Sequence, residues 1–470
     1  MAYYTSNHCY TDHESGMFVD KNDLSTVRPS NLTEDTEPSI GDSQIELERQ
    51  RKAQDHDKFH RLGWKRLVVI LIVEAIALGS LSLPAAFATL GMVGGVIASV
   101  GIGLVATYAS YEVGVVKVKY PEVEHYGDIG RLMLGDAGFW IVTACFIFPI
   151  SLNVGSHCLT GIIALVNITQ SSICTAIFGL VSTVILLVLA LPPTFADIAI
   201  LGYIDLVSIL GAIGITIIAT GIQSTQASGG GITGSDWSAW PREDVDFNSA
   251  MIAINNIVFS YTFAATVPSF MNEMHTPTDY VKSIHATGFI QTSLYTLIGA
   301  LVYAFVGKDV QSPALLSAGP LMSRIAFGVA LPVIFISGSI NTNIAARYIH
   351  TSFYRNSVER YVNTKAGWIS WVSTVTIITF LSWIVAEAIP VFSLILSLCA
   401  ALFSSALCFY VPALMWFFLV KEGSWASWHN IRRASANGIV FLFGIGILVC
   451  GMYANGVELV SVMIIYPIPR

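Results

Sequence analysis

Residues 77–87 read Ala77-Leu78-Gly79-Ser80-Leu81-Ser82-Leu83-Pro84-Ala85-Ala86-Phe87. They lie inside an apolar run, 67–90, long enough to cross a bilayer as a helix. Glycine loosens a helix, and proline removes a backbone donor and crowds the preceding turn. Proline also suits the first turn of a new helix. A break near 79–82 is therefore predicted, with a fresh half-helix from about Pro84. Its free N–H groups and positive dipole end would face an anionic group at mid-membrane depth. A second run carries a comparable interruption, since Phe259-Ser260-Tyr261-Thr262-Phe263 precedes Ala264-Ala265-Thr266-Val267-Pro268. Ser82-Leu83-Pro84 and Thr266-Val267-Pro268 even share an order of hydroxyl, apolar residue and proline. Paired interruptions at matching positions point to an inverted-repeat membrane transporter whose substrate binds between the broken helices. On that reading Gly79, Ser80, Leu81 and Ser82, with Phe259, Ser260, Tyr261, Thr262 and Phe263, are the expected substrate-binding residues.

The rest of the chain suits such a body. Of 470 residues, 54% are hydrophobic and 12% charged, with a mean hydropathy of +0.65. A water-soluble fold has too few polar groups to cover that much apolar surface. The charges are also segregated, because residues 1–66 hold nine Lys/Arg and twelve Asp/Glu. A soluble single-domain enzyme and a disulfide scaffold are excluded. So is a nucleic-acid binder, since the net charge is −7 and no basic excess exists. The seven cysteines include no C-x-x-C pair, so buried free thiols are expected.

The bilayer leaves no water for a bare backbone, so each crossing must be a helix of about 20 apolar residues. Eleven are expected, near 67–90, 94–115, 138–166, 173–191, 198–222, 248–273, 282–306, 319–345, 367–387, 390–419 and 437–457. The expected organisation is a disordered inner tail over 1–66, a membrane domain over 67–457 and a short outer tail over 458–470. Basic residues set the orientation. With the N-terminus inside, inner segments hold the nine of the tail together with Lys117, Lys119, Arg131, Lys282, Arg347, Arg355, Arg360, Lys365, Lys421, Arg432 and Arg433. Outer segments hold Arg242, Lys308 and Arg470, with Arg324 ambiguous. The tail lacks apolar periodicity and is read as disordered, a place for phosphorylation or for trafficking or ubiquitination machinery, or an inert extension. Outer residues 223–247 read as a flexible Gly-rich loop (Gly229, Gly230, Gly231, Gly234) ending in the interfacial anchors Trp237 and Trp240. The Asn167-Ile168-Thr169 sequon faces outward close to a span end, a possible glycosylation site.

Several short motifs, taken in order, resemble the amino acid/auxin permease family. Residues 77–87 look like its first-helix signature. Tyr120-Pro121 with Tyr126-Gly127-Asp128-Ile129-Gly130 is similar to its first inner loop. Phe259-Ser260-Tyr261, Pro268-Ser269 and Glu273-Met274-His275-Thr276-Pro277 resemble its sixth-helix block, and Pro390 with Tyr410-Val411-Pro412-Ala413 its tenth helix. The likeness runs from about 66 to 457 and is nearest the fungal N-system branch for neutral amino acids. The resemblance implies an all-α integral membrane fold of the leucine-transporter superfamily, with a five-plus-five inverted repeat and an eleventh helix. It further implies a secondary active importer of neutral aliphatic and aromatic L-amino acids that needs no cofactor. One departure stands out: Leu81 occupies a position where a second glycine is frequent, which narrows backbone freedom there.

A charge within a span costs enough that function is the default reading. Glu74 lies a turn before the first break and is the leading proton-coupling residue. Asp205, near the inner end of the fifth span, reads equally as an ordinary interfacial carboxylate. Glu273 matches the family's Glu-Met and suggests a gate or ion pair, while Glu387 reads as solvated. Ser337, Ser339 and Asn341 of the eighth span offer oxygen to a sodium ion or serve as interhelical glue. The residues leave proton and sodium open, and the resemblance to fungal permeases favours the proton. Phe146, Phe148, Ser151 and Asn153 of the third span are candidate walls for the substrate side chain. The resemblance favours the plasma membrane over the vacuole. A receptor on the same fold that signals through the tail is the alternative of another class. A membrane enzyme is disfavoured, since no span pairs His with Asp/Glu in a catalytic or metal pattern.

Overall fold

A computed structural model describes residues 62–76, 78–192, 198–227, 235–354 and 364–465, with only the backbone of Glu74, 198–200, Ala227 and Ile465. The described residues belong to one compact unit, Asp57–Arg470. The tail up to residue 61, Gly229–Gly231 and Gly234, Arg355, Arg360 and Arg470 lie outside the described residues.

The described residues form helices: α1 (Trp64–Ile76), α2 (Gly79–Lys119), α3 (Tyr126–Thr169), α4 (Thr175–Ala190), α5 (Ile198–Ala227), α6 (Phe247–Ser260), α7 (Val267–Met271), α8 (Tyr280–Val306), α9 (Pro320–Phe353), α10 (Lys365–Ala388), α11 (Phe392–Val420) and α12 (Trp428–Ile465). Eight of them are long and apolar enough to cross a membrane. The pieces α1, α6 and α7 are short because the interruptions read from the sequence divide their runs, and α4 is apolar but only 16 residues long. Residues such as Ile97, Leu104, Phe380, Leu442 and Val449 stand exposed on outer faces, as lipid-facing side chains do.

Two of the long helices turn sharply. In α2, Gly91 has φ +74°, and a Cβ there would lie 2.5 Å from the Trp240 carbonyl carbon. Only glycine meets both demands, so 79–90 and 92–119 are separate arms. In α3 the turn falls at Leu134–Gly135, where Gly135 has φ +67°. The outer segment around Trp240 is therefore no free loop over its described part. Ser238 and Ala239 carbonyls accept from Met92 and Val93 N–H, each at 2.9 Å. Hydrogen bonds from Arg242 and Lys308 hold the Asp236 carboxyl below its usual range.

Beyond apolar packing, one buried ion pair fastens α12 to α2. Arg433 Nη2 donates to both Glu112 oxygens at 2.7 Å, with Glu112 fully buried and Arg433 24% exposed. Asn437 extends the seam to Tyr108 Oη at 2.9 Å. Breaking a buried pair from one side leaves an uncompensated charge. Glu112→Gln is thus expected to destabilise the fold by about 3 kcal/mol, the low end for a partner that keeps some solvent. Thermal unfolding in detergent measures it, and an unchanged melting temperature would show the pair to be dispensable. Glu112 is an acid that the sequence reading did not single out.

Candidate functional site

The two interruptions meet. α1 ends at Ile76 and α2 opens at Gly79, while α6 ends at Ser260 and gives way to a 3₁₀ turn, Thr262–Ala265, before α7. A Cβ on Gly79 would stand 2.8 Å from Ser260 Oγ and 2.9 Å from Ser260 Cα. The breaks are in van der Waals contact because residue 79 has no side chain.

The first break falls earlier than predicted. Residues 80–83 are helical, and Pro84 is the sixth residue of α2 rather than its opening. The reason lies in the serines. Ser80 Oγ donates across the gap to the Ile76 carbonyl at 2.7 Å, satisfying a carbonyl at the end of α1, and Ser82 Oγ donates to the Gly79 carbonyl at 2.9 Å within the first turn of α2. Tyr295 Oη caps the Ala75 carbonyl at 2.8 Å. In the second break Pro268 is the second residue of α7, the ordinary place for proline at a helix start. The repeated hydroxyl, apolar residue and proline therefore mark corresponding regions in different registers.

Between the breaks lies a cavity of about 90 Å³. Its walls are Ala75, Leu78 and Gly79 at the first break and Phe259, Thr262, Phe263, Ala265 and Thr266 at the second. α3 contributes Phe146, Pro149, Ile150, Asn153 and His157, and Asn341, Cys399 and Leu407 complete the lining. Of the nine residues predicted for the substrate, Gly79, Phe259, Thr262 and Phe263 line this cavity. Ser80, Leu81, Ser82, Ser260 and Tyr261 are buried beside it without lining it. Ser260 Oγ donates to the Asn256 carbonyl, and Tyr261 Oη pairs with Ser99 Oγ at 3.2 Å, its ring edge-on to Tyr295.

The α3 wall follows a spacing of three and four, 146–149–150–153–157, so that one face serves the cavity. Phe148 and Ser151 fall off that face. Phe148 is 65% exposed and stacks on Phe403, and Ser151 Oγ donates to the Ile147 carbonyl. His157 falls on the face and was missed. Its periodic position relative to Phe146 was the available signal.

The acids separate clearly. Asp205 is 1% exposed, no interfacial carboxylate, and its Oδ2 accepts from Ser337 Oγ at 2.7 Å across the α5–α9 seam. Its Oδ1 has no partner among the described residues. Beside it, Ser208 Oγ donates to the Val329 carbonyl and accepts from Val333 N–H, entering the α9 ladder at Pro332. Asn341 Nδ2 donates to the Ser337 carbonyl at 2.9 Å. Asp205 thus bonds the hydroxyl of Ser337, and Asn341 of the cavity wall bonds the main-chain carbonyl of the same residue one turn away on α9. Ser339 Oγ bonds the Ile336 carbonyl of its own helix, so Ser337, Ser339 and Asn341 have separate partners and do not form one ligand set. Glu273 is half-buried and electrostatically coupled to Arg347 of α9. Its carbonyl also accepts from Leu62 N–H at 2.9 Å, and His275 N–H donates back to the Leu62 carbonyl. The Glu74 side chain lies outside the described residues.

Asn167 stands in the last turn of α3, with Oδ1 accepting from Ser323 Oγ at 3.3 Å. That bond leaves the amide nitrogen free, but a glycan acceptor must sit on accessible non-helical chain and Asn167 sits in a helical turn at a span end, so no glycan is expected there. Glycosidase treatment and Asn167→Gln should both leave the gel mobility unchanged, and a shift would show the helix end to open.

These features define a multi-pass helical membrane protein with two broken helices around a buried site, and comparison with known proteins places it further. Its fold is similar to that of Mhp1, a nucleobase-cation-symport-1 family transporter, in a closed conformation with bromovinylhydantoin bound. The TM-score is 0.53 at 14% identity, over 86% of this chain and 93% of that one. The inward-facing conformation of Mhp1 gives 0.52, over 86% and 91%. Residues 60–455 match the family described as transmembrane amino acid transporter protein. The N amino acid transport system protein of Neurospora crassa is 53% identical over 87% of each chain. A transmembrane transporter of Fusarium pseudograminearum is 25% identical over 85% of this chain and 84% of its own. The chain belongs to the transmembrane amino acid transporter family.

Proposed function

We propose that the chain imports neutral amino acids, aliphatic and aromatic, by proton symport. The observation that carries the reading is the cavity walled by both helix breaks. Helix ends leave backbone groups without intrahelical partners, positive at the N-terminus and negative at the C-terminus. The opening of α2 at Gly79 offers N–H groups to the substrate carboxylate, and the closing carbonyls of α6 suit its ammonium. Phe146, Ile150, Phe259 and Phe263 give the side chain an apolar, mainly uncharged wall. An amino acid joins both charges to one carbon, so two opposed helix ends in contact recognise it without a charged side chain. The Neurospora relative, named for amino acid transport, supports the same reading.

Counting α1 with the first arm of α2, and α6 with α7, as single crossings gives eleven. The first and sixth are broken, as a five-plus-five repeat with one added helix requires. The distribution of basic residues favours an inner N-terminus and an outer C-terminus, and the resemblance to fungal permeases favours the plasma membrane over the vacuole. Alternating access follows from rocking one bundle about the site. For coupling, Asp205 is buried and bonded to Ser337 on the helix that carries Asn341 of the cavity wall, so it ranks before Glu273, whose coulombic partner is Arg347. Uptake of labelled leucine and phenylalanine by transport-deficient cells expressing the chain tests the reading. Concentrative uptake that grows as the outer pH falls supports it, and none at any pH with the protein at the surface overturns it.

A further inference from the structure

α8 carries a polar stripe that the reading above does not use. Ser283, Thr287, Gln291 and Tyr295 recur every fourth residue, so they share one face, and all four are fully buried. Three of them hold α1 by its main chain. Ser283 Oγ donates to the Trp64 carbonyl at 3.1 Å, Gln291 Nε2 to the Leu71 carbonyl at 3.4 Å and Tyr295 Oη to the Ala75 carbonyl at 2.8 Å. Partner numbers rise together, so α1 and α8 run parallel. Thr287 falls between the first two, and its Oγ1 has no partner among the described residues.

The three bonds are unequal. The carbonyls of Trp64 and Leu71 already accept from the N–H four residues further along α1. Ala75 lies in the last turn, where carbonyls lack that partner, and it lines the cavity. Tyr295 thus supplies a bond that the interrupted helix cannot. Its ring also packs edge-on against Tyr261, the first residue past the end of α6, with centroids 5.2 Å apart. The tip of Tyr261 is held as well: its Oη pairs at 3.2 Å with Ser99 Oγ of α2, which accepts from Thr296 Oγ1 at 3.1 Å. Tyr295 therefore touches both breaks from behind a cavity that it does not line. We propose that Tyr295 is a positioning residue for the carrier site: its hydroxyl fixes the end of α1 and its ring the start of the second break, so that both meet the substrate in one geometry. This role rests on the transport reading above. A site whose two halves drift is competent for part of the time, and its apparent affinity falls by that fraction.

The test is the kinetics of labelled leucine uptake by cells expressing wild type, Tyr295→Phe and Thr287→Val, with the protein at the surface quantified. Phenylalanine keeps the ring and removes the bond to Ala75. KM is expected to rise roughly five- to tenfold, the size of one buried bond left unmade, while the maximal rate per surface molecule holds. A role in packing alone would lower the amount at the surface and leave KM in place. Thr287→Val lies on the same buried face with no bond to lose, so it is the control and should keep the wild-type KM. Ser99→Ala frees the tip of Tyr261 and covers the case in which Tyr295→Phe does not reach the surface, with a KM rise of about threefold expected. An unchanged KM in Tyr295→Phe, or in Ser99→Ala where that variant stands in, would overturn the positioning role and leave the transport reading intact. So would an equal rise in Thr287→Val. No leucine uptake by wild type at all would overturn the transport reading, and this role with it.

Discussion

Gly79→Ala is expected to reduce amino acid uptake by ten- to a hundredfold with the protein still at the membrane, and Gly79→Val to abolish it. The added carbon would meet Ser260 Oγ, Cα and Cβ at 2.8, 2.9 and 3.0 Å. Two of those atoms cannot swing aside, since one is backbone and one is fixed to it. Overpacking a tight contact costs about 1–3 kcal/mol, and 1.4 kcal/mol is tenfold in an equilibrium. The cost falls on the contact that aligns the α2 opening with the α6 end, so it appears as lost binding rather than lost folding. Ser260→Gly in the same chain removes Oγ and Cβ and should recover part of the uptake. A Gly79→Ala protein with wild-type uptake would show that the breaks need not touch.

Asp205→Asn is expected to lower proton-driven accumulation more than tenfold while counterflow exchange of substrate continues. The carboxylate is 1% exposed, with Oδ2 tied to Ser337 and Oδ1 unpartnered among the described residues. Gain and loss of a proton there alters a charge inside an otherwise apolar seam, where charge is costly. Ser337, which bonds that carboxylate, lies one turn from Asn341 of the cavity wall. The asparagine keeps the shape and the bond from Ser337 but removes the titration, so binding and rocking survive while coupling fails. Unchanged pH-driven accumulation would move the coupling site elsewhere. Glu74→Gln is then the decisive comparison.

Local chemistry made much of this legible. Gly79 and Pro268 announced interrupted helices because glycine and proline act on the backbone where they stand. Periodicity, too, is local, and the phase of α3 could have separated Phe146 and Asn153 from Phe148 and Ser151 and added His157. What stayed hidden depends on contacts between distant segments. Nothing near Gly79 names Ser260 as its neighbour, and nothing near Glu112 names Arg433, 321 residues away. The predicted start of a half-helix at Pro84 missed because Ser80 and Ser82 hydroxyls can bond carbonyls and hold a helix through the expected gap. Ser337 and Asn341 read as one oxygen cluster in the sequence. In the fold Ser337 turns to Asp205 and Asn341 lines the cavity, a division set by the position of α5.

Whether an amino acid is carried through the cavity between the two helix breaks can be decided with purified protein in proteoliposomes, given labelled leucine and an inward proton gradient. Wild type should accumulate leucine above the external concentration and lose the accumulation when the gradient is collapsed, with Gly79→Val at the level of empty vesicles. Leucine entry indistinguishable from empty vesicles, or equal accumulation by Gly79→Val, would contradict carriage by that route.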